Sequence, residues 1–125
     1  MRNLDLKFTT AGDYMATRSR IGIRNDNGSY TSVYVHWDGS PDTRMPLLTE
    51  CWNETEKVKE LIEGGGISSL SYTMENTVFY HRDRGEVLDI MYSPSGLDEL
   101  IYDTGRAGEE YLYIFSYNEW TVRTV

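Results

Sequence analysis

Alternation of apolar and polar side chains first becomes clear at Met15–Arg24, where Ile21 and Ile23 interleave with Arg20 and Arg24. Period two predicts a strand. Asn25-Asp26-Asn27-Gly28 follows, and Asn-Gly favours a type I′ turn with positive φ at both centres, hence a hairpin. The return strand runs from Tyr30 to Trp37. It sets Val33, Val35 and Trp37 on one face and Ser32, Tyr34 and His36 on the other.

The period then changes. Gly39-Ser40-Pro41-Asp42 reads as a loop, and Pro46 suits the first turn of a helix whose Leu47, Leu48, Cys51 and Trp52 share a face. Asn53 and Glu56 have the spacing of a capping box before a second helix, with Val58, Leu61 and Ile62 inward. Gly64-Gly65-Gly66 closes that helix. The glycines do not cradle a phosphate, because they follow a helix instead of opening one.

Ile67 to Leu70 reads as a short packed turn and Thr77 to His81 as a compact strand. Arg82 to Glu86 is a polar turn, and Val87 to Tyr92 fits a strand better than a helix. After Ser93-Pro94-Ser95-Gly96, Leu97 to Asp103 spaces Leu97, Leu100 and Ile101 as a short helix that Gly105 ends. Glu110–Ser116 and Glu119–Val125 form a hairpin about Tyr117-Asn118. The sum is α+β: an antiparallel sheet of about four to five strands with two or three short helices on one face. Leu48, Trp52, Leu61 and Ile62 are expected against Ile21, Ile23, Val33, Val35 and Leu112, with Trp37 in the same core. Residues 15–125 read as a single domain, and residues 1–14 lack clear periodicity.

Composition narrows the function classes. The chain has 125 residues, one cysteine and a net charge of −8. Such a length makes a core without disulfide or metal staples. Cys51 reads as a small hydrophobe, and a zinc site built on cysteines is excluded. No stretch has the apolar length of a membrane span or a signal peptide, so a cytoplasmic protein without membrane attachment is expected. Residues 86–125 carry eight acidic and two basic side chains, against three acidic and five basic in residues 1–36. Acidic surface repels phosphate, so nucleic acid is not expected as a partner. The acidic end reads first as a solvated surface and second as attraction to a basic partner, mimicry of nucleic acid included.

One constellation carries chemistry. His36, Asp38, His81, Asp83 and Glu86 lie near strand ends, where convergence would allow metal binding or acid–base work. The simpler reading has Asp38 cap the turn at Gly39, with Arg82 or Arg84 pairing with Asp38 or Glu86. His36, Trp37, Asp38, His81, Arg82, Asp83, Arg84 and Glu86 are therefore candidate binding residues, in two segments expected to lie side by side. Neither catalytic residues, nor a resident metal, nor a cofactor is assigned. His81-Arg82-Asp83 spells the kinase catalytic tripeptide, but Leu88 stands where that loop needs asparagine and no glycine-rich loop precedes it. Tyr34, Tyr111 and Tyr113 read equally as a half-buried sheet face or a protein interface.

Taken together, MATRSRIGI, YVHWDGSP, KVKELIEGGGISSL and FYHRDRGE resemble a family of small bacteriophage proteins. The likeness runs from Met15 to about Glu86, the C-terminal EEYLYIFSYNEWTV also fits, and a start at a methionine like Met15 implies that residues 1–14 are an N-terminal extension. The chain departs from the pattern at Ser40-Pro41-Asp42, where an aromatic and glycine-containing loop is expected. The resemblance supplies no catalytic residues. It implies a phage accessory protein that binds and inhibits a host protein, an enzyme or a defence complex. A binder that sequesters a small ligand or nucleotide is the second expectation, and a metal-dependent hydrolase the third.

Overall fold

The computed structural model describes residues 16–125. The expected extension at residues 1–14 lies outside them. Seven strands form one mixed sheet: β1 (Ser19–Arg24), β2 (Tyr30–Val35), β3 (Ile67–Ser69), β4 (Val78–Phe79), β5 (Met91–Ser93), β6 (Tyr111–Ser116) and β7 (Glu119–Thr124). Four helices connect them: α1 (Pro41–Cys51), α2 (Thr55–Glu63), α3 (Tyr80–Arg84) and α4 (Leu97–Arg106).

The α+β class stands, but the sheet is not wholly antiparallel. Its order is β4-β3-β2-β1-β6-β7, with β5 also on β2. β2 runs parallel to β3 and β1 parallel to β6. Parallel neighbours need long crossovers, usually helical. α1 and α2 carry the chain from β2 to β3, and α4 carries it from β5 to β6. Alternation along a strand says which side chains share a face. It does not say which strand lies beside it.

Helices consequently cover both faces, where one was expected. On the first face Leu48, Trp52, Val58, Leu61 and Ile62 meet Ile21, Ile23, Val33, Val35, Tyr113 and Phe115. On the second, Leu100 packs with Tyr30, Leu112 and Ile114. Leu112 thus belongs to the α4 side and Tyr113, fully buried, to the α1–α2 side. Gly22 makes room for α4: a Cβ there would sit 3.4 Å from Leu100 Cδ2.

Several local expectations shift. Pro41, not Pro46, takes the first position of α1, so the helix reaches back into the expected loop; Pro46 lies inside it on an exposed side. α2 has Glu54 at its N-cap, and no side chain caps it. Ile67–Ser69 is strand rather than turn. Tyr80–Arg84 is a helical turn rather than the end of a strand and a polar loop. α4 continues through Gly105 to Arg106. In the first hairpin only Gly28 has positive φ, so the turn is not type I′. That geometry appears instead at Tyr117 (φ 52°) and Asn118 (φ 64°).

The tryptophans divide unequally. Trp52 is buried and donates from Nε1 to Ser71 O (3.0 Å). Trp120 is buried against Phe115 and donates to Trp52 O (2.7 Å), tying β7 to the end of α1. Trp37 is only half-buried, because β2 stops at Val35 and Trp37 N–H instead bonds Ser68 O. No helix of the described residues is long and apolar enough to cross a membrane.

Beneath the α4 side lies a buried fork. Arg20 Nε and Nη2 reach Glu109 Oε1 and Oε2 at 2.8 and 3.1 Å, and Nη1 donates to Ser32 Oγ at 3.3 Å. Both ions are almost wholly out of water. Burying them costs several kcal/mol each, and only the pairing offsets it. Glu109→Ala should therefore cost about 3–5 kcal/mol by strands an uncompensated guanidinium. The double change Arg20→Met with Glu109→Leu should cost clearly less, as read from urea denaturation midpoints.

Candidate functional site

The loop after β2 is built around a buried guanidinium. Arg44, 1% exposed, donates from Nη2 to Trp37 O (2.6 Å) and from Nη1 to Ser19 Oγ (3.0 Å), and lies over the Tyr113 ring at 5.7 Å. Burial pulls its pKa from 12.5 to about 10, against the nearby Tyr113 and Asp38. The Tyr113 hydroxyl donates to Gly39 O at 2.6 Å, and burial pushes it up to about 12 with Arg44 opposing. Asp38 adopts φ 60°, a left-handed conformation that aspartate tolerates better than most residues. Gly39 must be glycine: its Cβ would fall 2.5 Å from Thr17 O and 2.9 Å from Ser19 Cβ. His-Trp-Asp-Gly is thus a packed corner that ends β2 and starts α1.

The expected pairing of Asp38 with Arg82 or Arg84 does not form. Arg82 instead forks onto its neighbour Asp83, with Nε–Oδ1 at 3.0 Å and Nη2–Oδ2 at 2.9 Å. It also donates to the carbonyls of Met74 and Thr77. Arg84 stacks over Tyr80 (5.2 Å) and reaches Ser68 Oγ at 3.4 Å. β3 stands between the two segments and links them: Ser68 O accepts from Trp37 N–H while its Oγ accepts from Arg84. Nearest-neighbour ion pairing within Arg82-Asp83 wins over the longer-range pair.

Other candidates do converge. Tyr34, Tyr80, Glu86, Val87 and Asp89, with Gly66 and Gly85, line an open groove of about 730 Å³. Tyr34 comes from β2, and its hydroxyl lies 2.6 Å from His36 Nδ1. The opposite wall comes from α3 and the exposed segment after it. His81 Nδ1 donates to Glu86 O (2.8 Å), holding that segment back against α3. Gly85 caps α3 at φ 69°, and Glu86 N–H returns to Tyr80 O at 3.0 Å. Tyr34, His36, His81, Arg84 and Glu86 therefore belong to the groove or its supports, whereas Trp37, Asp38, Arg82 and Asp83 do not line it. Tyr111 and Tyr113 sit on the opposite face of the sheet, and fully buried Tyr113 offers no interface.

Sequence reasoning missed Tyr80, Val87 and Asp89. By pattern Tyr80 and Val87 read as strand residues, whereas Tyr80 opens α3 and Val87 lies in the irregular segment before β5, which begins only at Met91. Chemically the groove offers two phenol rings and two carboxylates, a setting for a cationic side chain. Among the described residues no three His, Cys, Asp or Glu side chains gather as a metal site requires.

α3 depends on Asp83, which accepts the Phe79 N–H at 2.8 Å as well as the Arg82 fork. The Arg82 hydrogen bond, and then the Phe79 N–H, hold its carboxyl below its ordinary 3.8. A depressed carboxylate pKa stabilises the folded state fully above the ordinary value and loses that contribution as pH falls through the folded one. The Phe79 amide resonance should therefore titrate with a midpoint below 3.8, and Asp83→Asn should abolish that titration. A midpoint at or above 3.8 would show the tie to be absent in solution.

Compared with family models, curated proteins and solved structures, the chain matches none of them.

Proposed function

We propose that this protein acts by binding, occupying a partner protein and inhibiting it, with the groove between β2 and α3 receiving a basic segment of that partner. The observation that carries this reading is the groove's lining: the exposed carboxylates of Glu86 and Asp89 beside two tyrosines. A lysine or arginine entering there meets carboxylates that can accept its hydrogen bonds. The net charge of −8 steers basic surfaces toward the molecule and phosphate away from it. The resemblance to small bacteriophage proteins supplies the setting, in which the partner is a host protein such as a member of a defence complex.

A second reading, sequestration of a small ligand, draws on the groove's volume, which lies in the range of small-molecule sites. Its carboxylates select a cationic ligand over a nucleotide.

The test is charge reversal. The protein carrying both Glu86→Lys and Asp89→Lys should lose its partner in capture from host lysate, and association should slow by about tenfold or more. Reversal of two exposed acids elsewhere, Asp26→Lys with Glu60→Lys, should leave capture intact. Raising the salt should slow the wild-type association. Equal capture by both reversed proteins would overturn the groove as the contact. Tight binding to DNA in a gel shift at physiological salt would overturn a protein partner altogether.

A further inference from the structure

The two ends of the sheet are treated differently. At one end β4 is only two residues long, its register against β3 is shifted, and α3 follows it at once. Short, irregular edges of this kind resist pairing with another chain. At the other end β7 runs for six residues in unbroken register with β6 and, among the described residues, has no strand on its outer side. It contains neither proline, glycine nor lysine, and no bulge interrupts it. Among the described residues it is the one six-residue strand with an unpaired side.

The groups on that side follow from the hairpin. Ser116 and Glu119 flank the two-residue turn and form a hydrogen-bonded pair. The N–H of Glu119, Thr121 and Arg123 therefore faces β6, and the N–H and C=O of Trp120 and Val122 face outward. Val125, of the same parity as Glu119, confirms the phase by donating to Glu110 O at 3.1 Å.

We infer that the outer edge of β7 pairs antiparallel with the same edge of a second copy of this chain, about a two-fold axis at Thr121. The side chains select this partner. In that register Glu119 stands opposite Arg123 of the second copy, and the same contact recurs across the axis. The two threonines meet at the centre. Glu119, Thr121 and Arg123 are all exposed on one face. Opposite charges directly across a strand pair attract, and like charges repel. The outward amides of Trp120 and Val122 exchange hydrogen bonds with Val122 and Trp120 of the second copy. Shifting the register by two residues loses the charge match, and shifting it by one turns the tryptophan to the opposite face. An interface of one strand pair is smaller than that of a permanent dimer, so association is reversible and concentration-dependent.

Sedimentation velocity tests this on the full chain, over about 1 μM to about 1 mM, where a small interface associates. The sedimentation coefficient should rise with concentration. Glu119→Arg alone and Arg123→Glu alone should each weaken dimerisation about tenfold or more, because like charges then meet. The two changes together should restore it. Exchange of the Trp120 and Val122 amides with deuterium should slow as concentration rises. A coefficient flat over the whole range would overturn the inference. So would single variants that dimerise like the wild type, or a double variant that fails to recover.

Discussion

Arg44 is a guanidinium taken out of water with no carboxylate bonded to it among the described residues, and the β2-to-α1 corner is built around it. Its two bonded nitrogens are met by Ser19 of β1 and the carbonyl of Trp37, and its plane lies near Tyr113 of β6. Three elements distant in sequence are thereby held to one point. A carboxylate would neutralise the charge more strongly, but it would also have to be buried. Carbonyl, hydroxyl and ring share the task here, and Nε stays without a partner. The left-handed turn at Asp38 and the close approach of Gly39 to Thr17 follow from bringing that carbonyl and α1 together. The histidine and aspartate of His-Trp-Asp-Gly flank this anchor.

With the corner in place, the groove has a defined position. β3 can lie parallel to β2 only because α1 and α2 have carried the chain back across one face. β4 and α3 then extend the sheet past β3, and Gly85 turns the chain so that Glu86, Val87 and Asp89 face Tyr34. The crossover through α4 covers the opposite half of the sheet and is pinned by the Arg20–Glu109 fork. Each buried guanidinium therefore closes one crossover: Arg44 the first, Arg20 the second. Neither lies in the groove, which leaves the exposed groove residues free to vary in charge without threatening the fold.

Much of this was legible in the sequence wherever one side chain's burial decided the outcome. Ile21, Ile23, Val33 and Val35 alternate cleanly and do share a face. Val58, Leu61 and Ile62 do form an inward stripe, and Tyr117-Asn118 does turn the last hairpin. What was not legible depended on partners far along the chain. Leu112 and Tyr113 are neighbours on β6, and each is apolar enough for a core. Only the position of α4 tells which face each one serves. Arg44 was not singled out, because nothing within a few residues announces that Ser19 and Tyr113 will enclose it. The groove was half visible: Tyr34, His36, His81 and Glu86 were named, but Tyr80 and Asp89 were hidden by reading a helical turn and the irregular segment after it as strands. Asp38 was matched to Arg82 and Arg84 by charge alone, and charge did not reveal that Asp83, one residue away, would hold Arg82.

The parallel pairing of β1 with β6 has a consequence for the order of events during synthesis. β1 lies inside the sheet, yet one of its two neighbours is its own hairpin partner and the other is Tyr111–Phe115. At about 5–20 residues per second, roughly 4–17 s separate the synthesis of Arg24 from that of Tyr111. Throughout that interval one edge of β1 is open, and Ile21 and Ile23 lack the cover that Tyr113 and Phe115 later give. The nascent N-terminal half is thus an unfinished sheet with an adhesive margin, exposed to chaperones and to other chains. The hairpin of β6 and β7, made after the other strands, covers that margin and leaves the outer side of β7 as the new edge.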